Sequence, residues 1–213
     1  MISLIQKDFL IAKRMTLSVA MLAVALPLFL TWVGGDIVLP ASVVLAMMSI
    51  LLTMMLMTTI DQEEEKYPKA RALLTTVGYR RATHVLHRYV LVTLAFLYCT
   101  LVYTVESLVV TTLALPTALD LAFAAFSFFL MASLYLALVT KFGARAGQYI
   151  MMAVILAISL GPVILSTFHV KLNLGFVQSF SSGVFTFVLI VAGALGVILS
   201  LAISLSIDQK KEL

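Results

Sequence analysis

The sequence predicts an all-α integral membrane protein with six transmembrane helices. Three observations carry that prediction: composition, the lengths of the apolar runs, and the placement of lysine and arginine. Of 213 residues, 62% are hydrophobic and 11% are charged, whereas a soluble domain carries about 25% charged residues. A water-soluble fold cannot hide that much apolar surface, but a bilayer can. No polar stretch is long enough to hold a core of its own, so a separate soluble domain is excluded. The single cysteine, Cys99, excludes an internal disulfide.

A helix needs about 20 apolar residues to cross the hydrocarbon. Six runs qualify: 15–34, 38–60, 89–112, 117–140, 147–168 and 184–207. The first follows Lys13 and Arg14 as a signal peptide would, but its apolar core is too long and no small-x-small site follows it. An even number of spans puts both termini and the loops after the second and fourth spans on one side. That side holds Lys7, Lys13, Arg14, Lys66, Lys69, Arg71, Arg80, Arg81, Arg88, Lys141, Arg145, Lys210 and Lys211, and only Lys171 lies opposite. The positive-inside rule makes that side cytoplasmic. The net charge of +4 is thereby explained by topology, and no nucleic-acid partner is implied.

Ahead of the first span, residues 1–14 set Ile2, Ile5, Phe9 and Leu10 on one stripe with Gln6, Lys7, Lys13 and Arg14 off it. That pattern predicts an amphipathic helix lying in the inner interface among anionic headgroups. In the fifth run, Gly161-Pro162 interrupts the helical hydrogen bonds, because proline has no donor. Residues 169–183 are too mixed to span and are expected to form an extracellular or re-entrant segment. In the last run Ala192, Gly196, Ser200 and Ser204 recur every four residues, a spacing that lets helix backbones approach closely.

The charged block 61–88 separates the second and third spans. Nine of the chain's charged side chains fall within residues 61–81. After Asp61, the acidic run Glu63-Glu64-Glu65 is expected to continue the second helix outward and to form exposed pairs with nearby bases, each contributing at most about 1 kcal/mol. Arg80, His84, His87 and Arg88 suit an amphipathic helix leading into the third span, with the histidines at headgroup level rather than in a metal site. A mere connection needs about 2–8 residues. This longer block, with the apolar stretch Ala72–Val77 inside it, predicts a docking surface for a soluble partner.

On the third span Thr93, Leu97, Thr100, Thr104, Ser107 and Thr111 form one stripe. It is a candidate lining for a translocation route or a subunit seam, although such hydroxyls can also bond to their own helix. Glu106 is the one acid well inside a span, and a carboxylate there is a functional candidate, here a gate or a packing group. Asp36 and Asp120 are expected at outer helix ends.

The succession Glu65-Lys66, Leu73-Leu74, Arg80-Arg81 and Arg88-Tyr89 resembles that of small bacterial ABC-2 type transporter permeases. It departs from the family at the turn, where Val77-Gly78 stands in place of leucine-proline. The resemblance implies a coupling helix that seats in a groove of a separate ABC ATPase, with Glu65, Leu73, Leu74, Arg80 and Arg81 at the contact. It also implies two ATPase copies holding ATP and magnesium, a second permease copy or a paralogue, and an exported amphipathic or hydrophobic substrate such as a peptide, bacteriocin, lipid-like molecule or drug. The chain has no phosphate-binding G-x-x-x-x-G-K-[ST], and none of its eight lysines precedes serine or threonine. It is expected to bind no cofactor or metal, to perform no catalysis, and to reside in the bacterial cytoplasmic membrane. Two other classes are open. An intramembrane protease of the prenyl-processing type would use Glu64-Glu65 but lacks its histidine motifs, and a membrane sensor or immunity subunit would use the same docking block.

Overall fold

The computed structural model describes residues 13–34, 40–66, 81–110, 113–153 and 182–210. The expected interfacial helix of residues 1–14, except Lys13 and Arg14, and the segment 169–183, except its last two residues, lie outside the described residues. The described residues form six helices and no strand: α1 (Lys13–Gly34), α2 (Ala41–Lys66), α3 (Arg81–Val109), α4 (Ala118–Phe142), α5 (144–153) and α6 (Ser182–Lys210). An all-helical answer follows from apolarity, since a helix satisfies its own backbone donors and acceptors where no water can.

Among the described residues four helices are long and apolar enough to cross a membrane: α2, α3, α4 and α6. In α1 the apolar part is shorter, Met15–Phe29, and of the expected fifth span only residues up to 153 are described. The expected run 38–60 continues as helix to Lys66, and the run 89–112 begins eight residues early, at Arg81. Half of the charged block is therefore helix, residues 61–66 ending α2 and residues 81–88 opening α3, and residues 67–80 lie outside the described residues.

Individual boundaries have local causes. Thr117 caps α4: its hydroxyl accepts from the Asp120 N–H while the Asp120 carboxylate accepts from the Thr117 N–H, a capping box that satisfies two orphan donors. Asp120 thus stands at a helix end, as expected. At the other end of α4 the chain turns into α5 through one residue. Gly143 sits at φ 88°, ψ 168° and donates to the Val139 carbonyl at 2.9 Å, a region open essentially to glycine alone. Gly147 then passes so close to α4 that a methyl there would lie 2.7 Å from Val139 Cγ2.

The main core lies among α2, α3 and α4, with Leu45, Met57, Phe96, Tyr103, Phe128 and Leu136 deeply buried. Phe96 stacks on Phe128 at 4.9 Å, and Phe129 packs against both rings. The broadest helix–helix contact is between α4 and α6, followed by α2 with α4. A smaller cluster (Ala23, Met48, Leu52 and Cys99) joins α1 to α2 and α3.

Candidate functional site

Asp61 and Glu64 are one helical turn apart near the end of α2, so their side chains share a face. Both point at Arg88, in the second turn of α3. The Nη2 of Arg88 lies 2.7 Å from Asp61 Oδ1 and 2.8 Å from Glu64 Oε2. The second oxygen of Asp61 accepts a 2.7 Å hydrogen bond from the Tyr135 hydroxyl of α4. The side chains of Asp61 and Arg88 are only 2% and 13% exposed. This corrects the expectation of an exposed pair for Glu64, whereas the Glu63–Lys66 pair is exposed as expected. At its burial the Asp61–Arg88 pair contributes little net stability as a whole, but removing one member strands a charge at a cost of about 3–5 kcal/mol.

The next residue, Tyr89, reaches the other way. Its hydroxyl lies 2.8 Å from Ser200 Oγ and 3.3 Å from Ser204 Oγ, both on α6. Ser200 donates its only proton to the Ser133 carbonyl of α4 at 2.8 Å. Ser200 must therefore accept from Tyr89, and Tyr89 must accept from Ser204. Arg88 and Tyr89 thus clamp one turn of α3 to α2, α4 and α6. His87 sits beside them fully buried, not on a headgroup-level face as expected. The α4–α5 turn with Lys141 and Arg145, the end of α2 with Lys66 and the end of α6 with Lys210 complete the basic end of the helices.

The coupling positions Leu73, Leu74 and Arg80 lie outside the described residues. Glu65 falls in the last turn of α2 and Arg81 is the first residue of α3, so the clamp brings together the two ends of the segment that carries them. The acidic run does continue α2, with Glu63 paired to Lys66 and Glu64 to Arg88. Glu64 is therefore engaged by a cation, where an intramembrane protease would need it free.

The hydroxyl stripe of α3 bonds to its own helix: Thr93 to the Tyr89 carbonyl, Thr100 to Phe96, Thr104 to Thr100 and Ser107 to Thr104. Thr100 and Thr104 are half-buried and Ser107 is buried, and Thr111 lies outside the described residues. Glu106 is buried, and neither carboxylate oxygen has a hydrogen-bond partner among the described residues.

The α6 stripe divides. Ser200 and Ser204 are buried, whereas Ala192 and Gly196 are half-buried, and a methyl at Gly196 would meet nothing within 4 Å. A strict four-residue repeat drifts around a helix of 3.6 residues per turn. Gly193 takes the close approach instead: a methyl there would touch the Phe126 backbone at 3.6 Å. Among the described residues no three metal-ligating side chains come together.

Sequence reasoning missed Tyr135 and Ser133 as partners of the clamp. The available signal was the rule that buried polar groups are paired, applied to a lone tyrosine in an apolar run at the same end as Asp61. No curated protein and no protein of solved structure matches the chain. A family model described as ABC-2 family transporter protein matches it over residues 3–209.

Proposed function

The chain belongs to the ABC-2 transporter family, and from that premise we propose that it is the membrane-spanning permease subunit of an ABC exporter. It moves an amphipathic or hydrophobic substrate (a peptide, bacteriocin, lipid-like molecule or drug) outward, using ATP hydrolysed with magnesium by a separate nucleotide-binding chain. Two ATPase copies and a second permease copy or a paralogue complete the assembly. The observation that carries the proposal is the family match across nearly the whole chain. The sequence agrees that the energy comes from elsewhere, since it contains no phosphate-binding loop.

The segment 67–80, with Leu73, Leu74 and Arg80, and the flanking Glu65 and Arg81 form the contact with the ATPase. The clamp supports this role mechanically. The turns of α2 and α3 next to the segment are joined through Arg88, and the same turns are tied to α4 by Tyr135 and to α6 by Tyr89. A push on the segment would therefore reach four helices at once instead of bending one. The basic end is cytoplasmic, as the positive-inside rule requires, in a six-span topology within the bacterial cytoplasmic membrane.

The test is cysteine crosslinking along Leu73–Arg81 in cells, with Cys99 replaced so that introduced thiols are unique. Capture of an ABC ATPase at a helically periodic subset of positions is expected. A stable protein that captures no ATPase would overturn the proposal, and capture of a kinase instead would establish the sensor reading.

A further inference from the structure

The buried acid of α3 has chemistry that the coupling reading does not use. Glu106 is 9% exposed, and both of its carboxylate oxygens lack partners among the described residues. It lies seven residues beyond Cys99, two helical turns along the same face. Cys99 packs with Ala23 of α1 and with Met48 and Leu52 of α2, flanked by Leu26 and Val102. Glu106 thus stands on the face that α3 turns toward α1 and α2, at the outward end of an apolar three-helix seam. Thr53, adjacent to Leu52, is also buried with its hydroxyl unpartnered among the described residues.

No described cation can serve Glu106. The described basic residues stand at the start of α1, the end of α2, the first turns of α3, the α4–α5 turn and the end of α6. Arg88, on the same helix, is roughly 27 Å away at 1.5 Å per residue and already bridges two carboxylates. An isolated carboxylate in so apolar a setting is costly unless a proton or a cation neutralises it.

We propose that Glu106 receives the cationic group of an amphipathic ligand whose apolar part packs against the outward end of α3, where the neighbouring Val105, Leu108 and Val109 are exposed. The ligand class is a lipophilic monovalent cation: an ammonium, guanidinium or phosphonium head on an apolar body. This rests on the transporter reading and narrows its substrate class to molecules carrying positive charge.

The experiment measures equilibrium binding of tritiated tetraphenylphosphonium to the full chain in lipid nanodiscs, with empty nanodiscs subtracted. Saturable binding is expected for the wild type. It should be retained in Glu106→Asp and weakened about tenfold or more in Glu106→Gln, a change of about 1.4 kcal/mol. Neutral tetraphenylsilane should not distinguish the three proteins. Equal affinity of wild type and Glu106→Gln, or no saturable binding by the wild type, would overturn the assignment. A second readout needs no variant: dicyclohexylcarbodiimide modification of Glu106, mapped by mass spectrometry, should be slowed by the phosphonium and not by the silane. Unchanged labelling in its presence would mean that Glu106 holds a proton only, and would also overturn the proposal. Because binding to the isolated chain needs no ATPase, its failure leaves the crosslinking result standing.

Discussion

Arg88 and Glu106 lie on one helix, both within its candidate membrane span, yet their surroundings are opposite. Arg88 has two carboxylates within 2.8 Å, one of them further held by Tyr135. Glu106 has no partner among the described residues. A transporter subunit has reason to keep both arrangements. A region that transmits force is better for being fully paired, because a saturated network has one geometry. A region that meets a ligand must leave something unsatisfied, because a group already paired inside the protein has little to offer an incoming molecule. In the proposed function the contrast separates a mechanical end from a recognition end.

The largest expected effect comes from breaking the paired end. Arg88→Ala should lower stability by about 3–5 kcal/mol, since it strands two carboxylates in a buried setting. Thermal unfolding in detergent, read against the wild type, measures it. Arg88→Lys should recover only part of the loss, because a compact ammonium cannot reproduce the planar fork of the guanidinium. Replacing Asp61, Glu64 and Arg88 together with apolar residues of similar volume should be less damaging than Arg88→Ala alone. The opposite ranking would mean that these side chains are not an interdependent buried set.

A smaller effect is expected at the neighbouring residue. Tyr89→Phe removes one hydroxyl while Ser200 keeps its bond to the Ser133 carbonyl. The loss should be about 0.6 kcal/mol, the mean for interhelical hydrogen bonds in a membrane. Because Tyr89 and Ser204 share one bond, Tyr89→Phe and Ser204→Ala should be less than additive. Strict additivity in a double-mutant cycle would separate α6 from the clamp.

How far the sequence disclosed these two ends follows from what each depends on. Helix positions followed from apolar run length, a property of the chain alone, and α4 was expected within two residues at either end. The charge of the block at 61–88 points to a docking surface and exposed pairs, because charge normally marks water. Only the fold shows that Asp61 and Arg88 face each other across 27 positions and that Tyr135, another 47 positions on, completes the set. Pairing at such separations has no local signature. The α6 stripe was half legible for a related reason: Ser200 and Ser204 face α3 and α4, but the helix turns Gly196 away and presents Gly193. Glu106 needed no fold to be noticed, since an acid in an apolar run stands out by itself. What the fold adds is that its burial is uncompensated among the described residues.

The smallest expected change in stability is the most informative about that last point. Glu106→Gln keeps the side-chain volume and removes the ionisable group. If Glu106 belonged to an intramolecular network like that of Arg88, its neutralisation would strand a buried partner and cost about 3–5 kcal/mol. If no protein group depends on it, the thermal midpoint in ligand-free detergent should stay within about 0.5 kcal/mol of the wild type, as for substitutions outside paired networks. Adding tetraphenylphosphonium should then stabilise the wild type and not the variant, because a ligand raises stability only where it binds the folded form. A large loss in ligand-free Glu106→Gln would place Glu106 among the paired groups and erase the distinction between the two ends of α3. An unchanged midpoint that responds to the cation only when the carboxylate is present would make the distinction quantitative.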